Sequence, residues 1–179
     1  MAIGSTIHVF AVQLADVDRG VYEDFSLRVA RHPSETDAFM MTRLLAYCLE
    51  YREGIEFSAG VSTTDEPAVI VRDLTGAITG WIEVGAPDAA RMHHGSKLAG
   101  YATAYTHRDP EKVLASWSGK TIHRSEDIVL HSFDPRFIED ATRALERRNE
   151  MSLSVTEGTL FLELNGVSLS SAVGTHQLP

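Results

Sequence analysis

The sequence predicts an α/β protein of the α+β kind, a mixed β-sheet flanked by helices, with β-hairpins added at both ends of the chain. Three observations carry this. Strand-like and helix-like patterns alternate through the middle of the chain, from residue 34 to residue 131. Runs with apolar alternation, joined by turn residues, stand at 6–30 and at 151–170. Hydrophobic residues make up 44 % of the 179 and charged ones 23 %, the balance of one globular domain with a sizeable core.

Residues 6–14 and 21–30 are strands, and Asp16 to Gly20 between them make a hairpin connection. His8 reads as a strand histidine rather than a ligand. After His32 and Pro33, Ser34 is the expected N-cap of a helix that runs to about residue 54. Its buried stripe is Met41, Leu44, Leu45 and Cys48, with Met40 and Leu49 at the margins. Residues 55–58, 68–72 and 77–84 are strands, the last two joined by a tight turn at Asp73-Leu74-Thr75-Gly76. Pro87 and Asp88 open a helix through Leu98, residues 101–107 form a strand, and Asp109 and Pro110 start a helix through Trp117. The helix between strands 77–84 and 101–107 is a crossover, so those strands should run parallel. A short strand follows at 128–131, then a helix from Pro135 to about Arg148, with Arg143, Arg147 and Arg148 at helical spacing behind Glu139. Strands at 151–155, 159–164 and 167–170 complete the pattern, and residues 174–179 should fray.

The segment richest in chemistry begins at Thr64-Asp65-Glu66-Pro67 and ends at Trp81-Ile82-Glu83-Val84-Gly85. If Leu74 and Thr75 are the central turn residues, Glu66 falls opposite Glu83; a slip of one brings Asp65 there instead. Opposed carboxylates on one face repel, so such a pair calls for a cation, a shared proton or bulk water. Trp81 and Glu83 share a face, which sets the glutamate beside an aromatic ring. The plainer reading is a solvated Asp-Glu-Pro loop with Glu83 at a sheet edge. Glu35 has its own plain reading, an acid in the first turn of a helix.

The formal net charge of −9 argues against broad binding to phosphate backbones. The single cysteine, Cys48, excludes an intramolecular disulfide and a zinc site built on thiolates. No apolar run approaches a membrane span, and Met1 to Ser5 lack a basic region followed by an apolar core, so a cytoplasmic protein is expected.

Four segments together resemble the bacterial YaeQ family: residues 27–36 (Leu-Arg-Val-Ala-Arg-His-Pro-Ser-Glu-Thr), 40–46 (Met-Met-Thr-Arg-Leu-Leu-Ala), Asp65-Glu66-Pro67, and 81–88 (Trp-Ile-Glu-Val-Gly-Ala-Pro-Asp). The resemblance spans nearly the whole chain. It implies one domain, 1–179, whose core at about 34–106 looks like a restriction-endonuclease-like (PD-(D/E)XK) fold. In that fold an Asp and a Glu on neighbouring strands bind Mg²⁺ or Mn²⁺, and a lysine two residues after the Glu positions the attacking water. Carried over, Glu83 matches the second acid, Asp65 or Glu66 the first, and Glu35 an acid from the preceding helix. The lysine position is Gly85, and Lys97 on the next helix is the candidate to replace it; His93 or His94 could serve as general base.

The implied activity is divalent-metal-dependent cleavage of phosphodiesters, with nucleic acid as partner and Lys97 or Arg91 stabilising charge on the phosphate. The competing expectation is a nuclease-fold protein without catalysis, acting as a binding or regulatory module. A cleft for a small cationic ligand or a protein partner is the third.

Overall fold

The computed structural model describes residues 4–58 and 65–179. Residues 1–3 and Thr64, invoked above, lie outside them. Two mixed sheets and four helices make up the fold of the described residues, in place of the single sheet expected.

The first sheet joins the two ends of the chain. The N-terminal hairpin, β1 (Thr6–Asp16) and β2 (Val21–Arg31), pairs along β1 with a three-stranded C-terminal meander, β8 (Arg148–Thr156), β9 (Thr159–Leu164) and β10 (Val167–Ala172). Its order is β10-β9-β8-β1-β2, and β1 runs parallel to β8 from Val9↔Arg148 to Asp16↔Val155. The two terminal hairpins therefore form one sheet rather than separate appendages. Alternation decides its inner face: Phe10, Val12 and Leu14, Met151, Leu153 and Val155, and Leu160, Leu162 and Leu164 are all buried.

The second sheet is built from the middle of the chain. It contains β3 (Ile55–Phe57), β4 (Val69–Arg72), β5 (Ile78–Val84), β6 (Tyr101–Thr106), β7 (Val129–Ser132) and β11 (Gly174–His176), in the order β11-β7-β6-β5-β4-β3. The pairs β3–β4 and β4–β5 are antiparallel, and β5–β6 is parallel as the crossover requires. Residues 174–176 do not fray; they pair with β7.

Helices α1 (Asp37–Leu49) and α4 (Pro135–Arg143) join the core between the sheets, while α2 (Ala89–Leu98) and α3 (Pro110–Trp117) cover the other face of the second sheet. Because α1 has neighbours on both sides, every residue from Met40 to Cys48 is buried, not the single stripe expected. Thr36 rather than Ser34 caps it, accepting from the Phe39 amide, while Ser34 bonds the His32 ring. Asp16 holds the Arg19 guanidinium over the other end, where it donates to the Cys48 and Tyr51 carbonyls. Helix α4 ends at Arg143, five residues early, because Arg148 and Asn149 are taken up by pairing with β1 and the Asn149 amide bonds the Val9 carbonyl. The expected ion pair of Glu139 with Arg143 is present at 2.7 Å, but Arg148 lies on a strand.

A carboxylate cavity closed by arginines

The β4–β5 hairpin has three loop residues, not two. The Asp73 amide donates to the Ala77 carbonyl, and Gly76 takes φ +86°, the positive-φ residue such a loop needs. A bulge at Val71/Arg72 then shifts the register again, so that Val69 faces Ile82. Continued outward, this register sets Ala68, and neither Glu66 nor Asp65, opposite Glu83. Glu66 lies two residues before Ala68 and lines the same cavity as Glu83. Asp65 is exposed.

Glu83 is 5 % exposed, and its neighbours are the expected ring and one unexpected cation. The Trp81 indole donates to Glu83 Oε1 at 2.8 Å. Arg91 places Nε and Nη2 each at 2.9 Å from the same oxygen. Asp88 caps α2 by accepting the Arg91 amide at 2.9 Å, which fixes Arg91 in the first turn, directly after β5. Arg91 Nη2 also donates to the Glu66 carbonyl at 2.9 Å, so one guanidinium ties the segment leading into β4 to the end of β5. Burial pushes the Glu83 carboxyl above its usual range; the bond and charge of Arg91 and the indole bond pull it partly back.

Two of the other predicted acids, Glu35 and Glu66, have arginines too. Glu35, on the approach to α1, is buried against Arg43 at 3.0 Å. Burial raises the Glu35 carboxyl and lowers the Arg43 guanidinium, with each partner opposing the other's shift. Among the described residues, Glu35 Oε2 and Arg43 Nε are buried with no hydrogen-bond partner. The Glu66 carboxylate lies 3.2 Å from Arg72. Lys97 is exposed on the last turn of α2, far along the helix from Arg91. His93 accepts from the His123 amide, and His94 sets its ring edge-on to Trp81.

A cavity of about 320 Å³ opens among these groups, lined by Phe39, Arg43, Glu66, Glu83, Pro87 and Arg91. It brings together two of the predicted acids, Glu66 and Glu83, and leaves Asp65 and Lys97 out. A larger hollow of about 450 Å³ lies on the first sheet, lined by Gln13, Asp24, Ser26, Glu150, Ser152 and Glu163, but none of these side chains is buried.

These residues can be weighed against the divalent ion that the resemblance implies. Mg²⁺ requires a near-octahedral shell of oxygens at short range. Glu83 Oε1 already accepts from three nitrogens, and Glu35 is paired with Arg43. Among the described residues no three His, Cys, Asp or Glu side chains are grouped so as to hold a metal ion. As arranged, the donor set does not fit a resident divalent ion. What sequence reasoning undervalued was the arginines. Arg43 stands in an apolar helix segment, where a charge signals a buried partner, and Arg91 follows a capping Asp88 by three residues.

Comparison with known proteins agrees with the fold. The model of the family described as YaeQ protein matches residues 1–173. The uncharacterised protein YaeQ of Salmonella typhi is 44 % identical over 167 residues, 90 % of each chain. That of Escherichia coli (strain K12) is 39 % identical over 107 residues, which span 60 % of this chain and 59 % of the relative. Among solved structures, the YaeQ protein from Xanthomonas axonopodis pv. citri superimposes with a TM-score of 0.87 at 29 % identity, covering 98 % of this chain and 99 % of the other. The YaeQ protein from Pseudomonas syringae gives 0.85 at 30 % identity, covering 96 % and 95 %. Among the described residues no helix is long and apolar enough to cross a membrane. The chain belongs to the YaeQ protein family.

Proposed function

We propose that the protein is a binding module on a restriction-endonuclease-like core at about residues 34–106, and that its cavity takes a phosphate ester such as a nucleotide or a nucleic-acid end. The element order supports such a core: α1, the antiparallel β3–β4–β5, the crossover α2, then the parallel β6. The observation that carries the binding reading is the pairing of Glu83 with Arg91 inside the cavity, beside Arg43 and the first turn of α2. Guanidinium groups and helix N-terminal amides are the groups that recognise phosphate oxygens. Arg43 lines the same cavity, adding a second guanidinium to its wall. The net charge of −9 favours a small ester or a strand end over a long backbone.

The second reading is a phosphodiesterase dependent on Mg²⁺ or Mn²⁺, with Glu83, Asp65 and Lys97 catalytic and Glu35, Asp65, Glu66 and Glu83 as metal ligands. It is favoured by one observation, that Glu66 and Glu83 line the same cavity. Thermal unfolding separates the two, with wild type and Glu83→Gln each scanned alone, with millimolar Mn²⁺, and with a mononucleotide. A ligand at about 100 times its dissociation constant stabilises by roughly 2.7 kcal/mol, several degrees in a domain of this size. Stabilisation of wild type by the mononucleotide without Mn²⁺ supports the binding module. A response to Mn²⁺ in wild type that Glu83→Gln abolishes supports the hydrolase, and no response to either ligand sinks both.

A further inference from the structure

We infer that the Arg91 guanidinium is the built-in counter-cation of this carboxylate site, standing where the family resemblance implies a divalent metal ion. This deepens the binding-module reading and rests on it only for the location of the cavity.

A buried carboxylate needs compensation by a cation or by a proton. Glu83 has a side chain only 6 % exposed, whereas that of Arg91 is 30 % exposed, so the arginine reaches from the cavity wall into the site rather than being interred with it. Its contacts have the geometry expected of a bridging cation. Two nitrogens lie 2.9 Å from Glu83 Oε1 on β5, and Nη2 lies 2.9 Å from the Glu66 carbonyl in the segment leading into β4. The hairpin ends that would share an ion are thus joined through one guanidinium.

The placement follows from local structure. Gly85 and Ala86 turn the chain out of β5, Asp88 caps α2, and the first helical turn presents Arg91 back toward the strand it has just left. The Trp81 indole completes the shell of Glu83 Oε1 with a neutral donor, and Met92 and Gly95 of α2 are buried against the face that carries Trp81. A divalent ion approaching Glu83 Oε1 must displace Arg91 and would be repelled by it at close range.

The test is thermal unfolding of the intact protein, comparing wild type, Arg91→Ala, Arg91→Lys and the double variant Glu83→Gln/Arg91→Ala. Each is scanned alone, with millimolar Mn²⁺ and with millimolar methylguanidinium. The expected result has three parts. Arg91→Ala lowers the midpoint by several degrees, and the double variant recovers most of the loss because no orphan carboxylate remains. Mn²⁺ or methylguanidinium raises the midpoint of Arg91→Ala but not that of wild type or of the double variant. Arg91→Lys, which keeps one charge but cannot bridge, lies between and preserves the comparison if the alanine variant does not fold.

A Mn²⁺ response in wild type equal to that of the arginine variants overturns the inference. So does a loss in Arg91→Ala that the double variant does not recover, or arginine variants that respond to neither cation. Failure of the binding-module reading is a separate result, absence of any mononucleotide response in wild type.

Discussion

The ring of Phe39 lies 3.0 Å from where a Cβ on residue 85 would stand, and Gly85 holds φ +92°. At the position two residues after Glu83, where a nuclease-like pattern carries lysine, any side chain is therefore strained by the backbone and crowded by its neighbour. Gly85→Lys is expected to lower stability by about 2–4 kcal/mol, the sum of a positive-φ penalty and overpacking against the ring. Urea unfolding of the variant measures this. A Gly85→Lys protein as stable as wild type would show that Phe39 yields freely.

The Glu35–Arg43 pair is buried, yet each partner leaves a polar atom unsatisfied. Removing one partner strands the other charge, so Arg43→Met alone should cost about 3–5 kcal/mol. Replacing both, Glu35→Leu with Arg43→Met, should restore most of that loss and could exceed wild type, because desolvation of both groups is removed. The Arg43 bond to the Ala30 carbonyl at 2.8 Å tempers the gain. Equilibrium unfolding of wild type and the two variants reads the result; a double variant no more stable than Arg43→Met would contradict it.

His131 on β7 stacks on Tyr105 at 4.4 Å between ring centroids, and its imidazole is lowered from 6.5 to about 4 by burial first and by His176 second. Below pH 6.5 the unfolded chain takes up a proton that the folded chain refuses until about pH 4. The stability that a neutral His131 preserves is whole above pH 6.5 and is lost as pH falls toward 4, to a total of about 3 kcal/mol. Glu50, which accepts from the Tyr105 hydroxyl at 2.9 Å, acts in the opposite sense, since burial raises its carboxyl and acid relieves it. The net curve mixes both, so the informative quantity is the difference between wild type and His131→Phe. That variant keeps a stacked ring and should lose stability less steeply between pH 6.5 and 4. Parallel curves would show that His131 titrates normally.

Much of this was legible in the sequence where local pattern decides structure. Alternation at Phe10, Val12 and Leu14 and at Leu160, Leu162 and Leu164 marks strands with one buried face, and the same parity puts Trp81 beside Glu83. Asp88, Asp109 and Asp134 are recognisable helix starts, each accepting from an amide of the first turn. What escaped was set by distant partners. The pairing of β1 with β8 has no local signature, and it alone makes the terminal hairpins one sheet and ends α4 early. In the candidate site, a third loop residue and the bulge at Val71/Arg72 each moved the register by one, which set Ala68 rather than Glu66 or Asp65 opposite Glu83. The partners of the arginines escaped because side-chain reach is not a periodic property: Arg91 meets Glu83, and Arg43 meets Glu35, only once the neighbouring elements are in place.

The parallel seam between β1 and β8 also constrains how the chain can be born. While it emerges from a ribosome, β1 and β2 form a hairpin whose β1 edge stays unpaired until β8 has been synthesised. The apolar inner face of that hairpin, Phe10, Val12 and Leu14, has no opposing layer until α1 follows, and no completed sheet until β8 arrives. Closing so long a loop before its contacts reward it slows folding, and an open strand edge invites association with other nascent chains. Assembly of the first sheet thus waits for β8, and the yield of native protein should depend on synthesis rate and on chaperones more than its final stability alone would suggest.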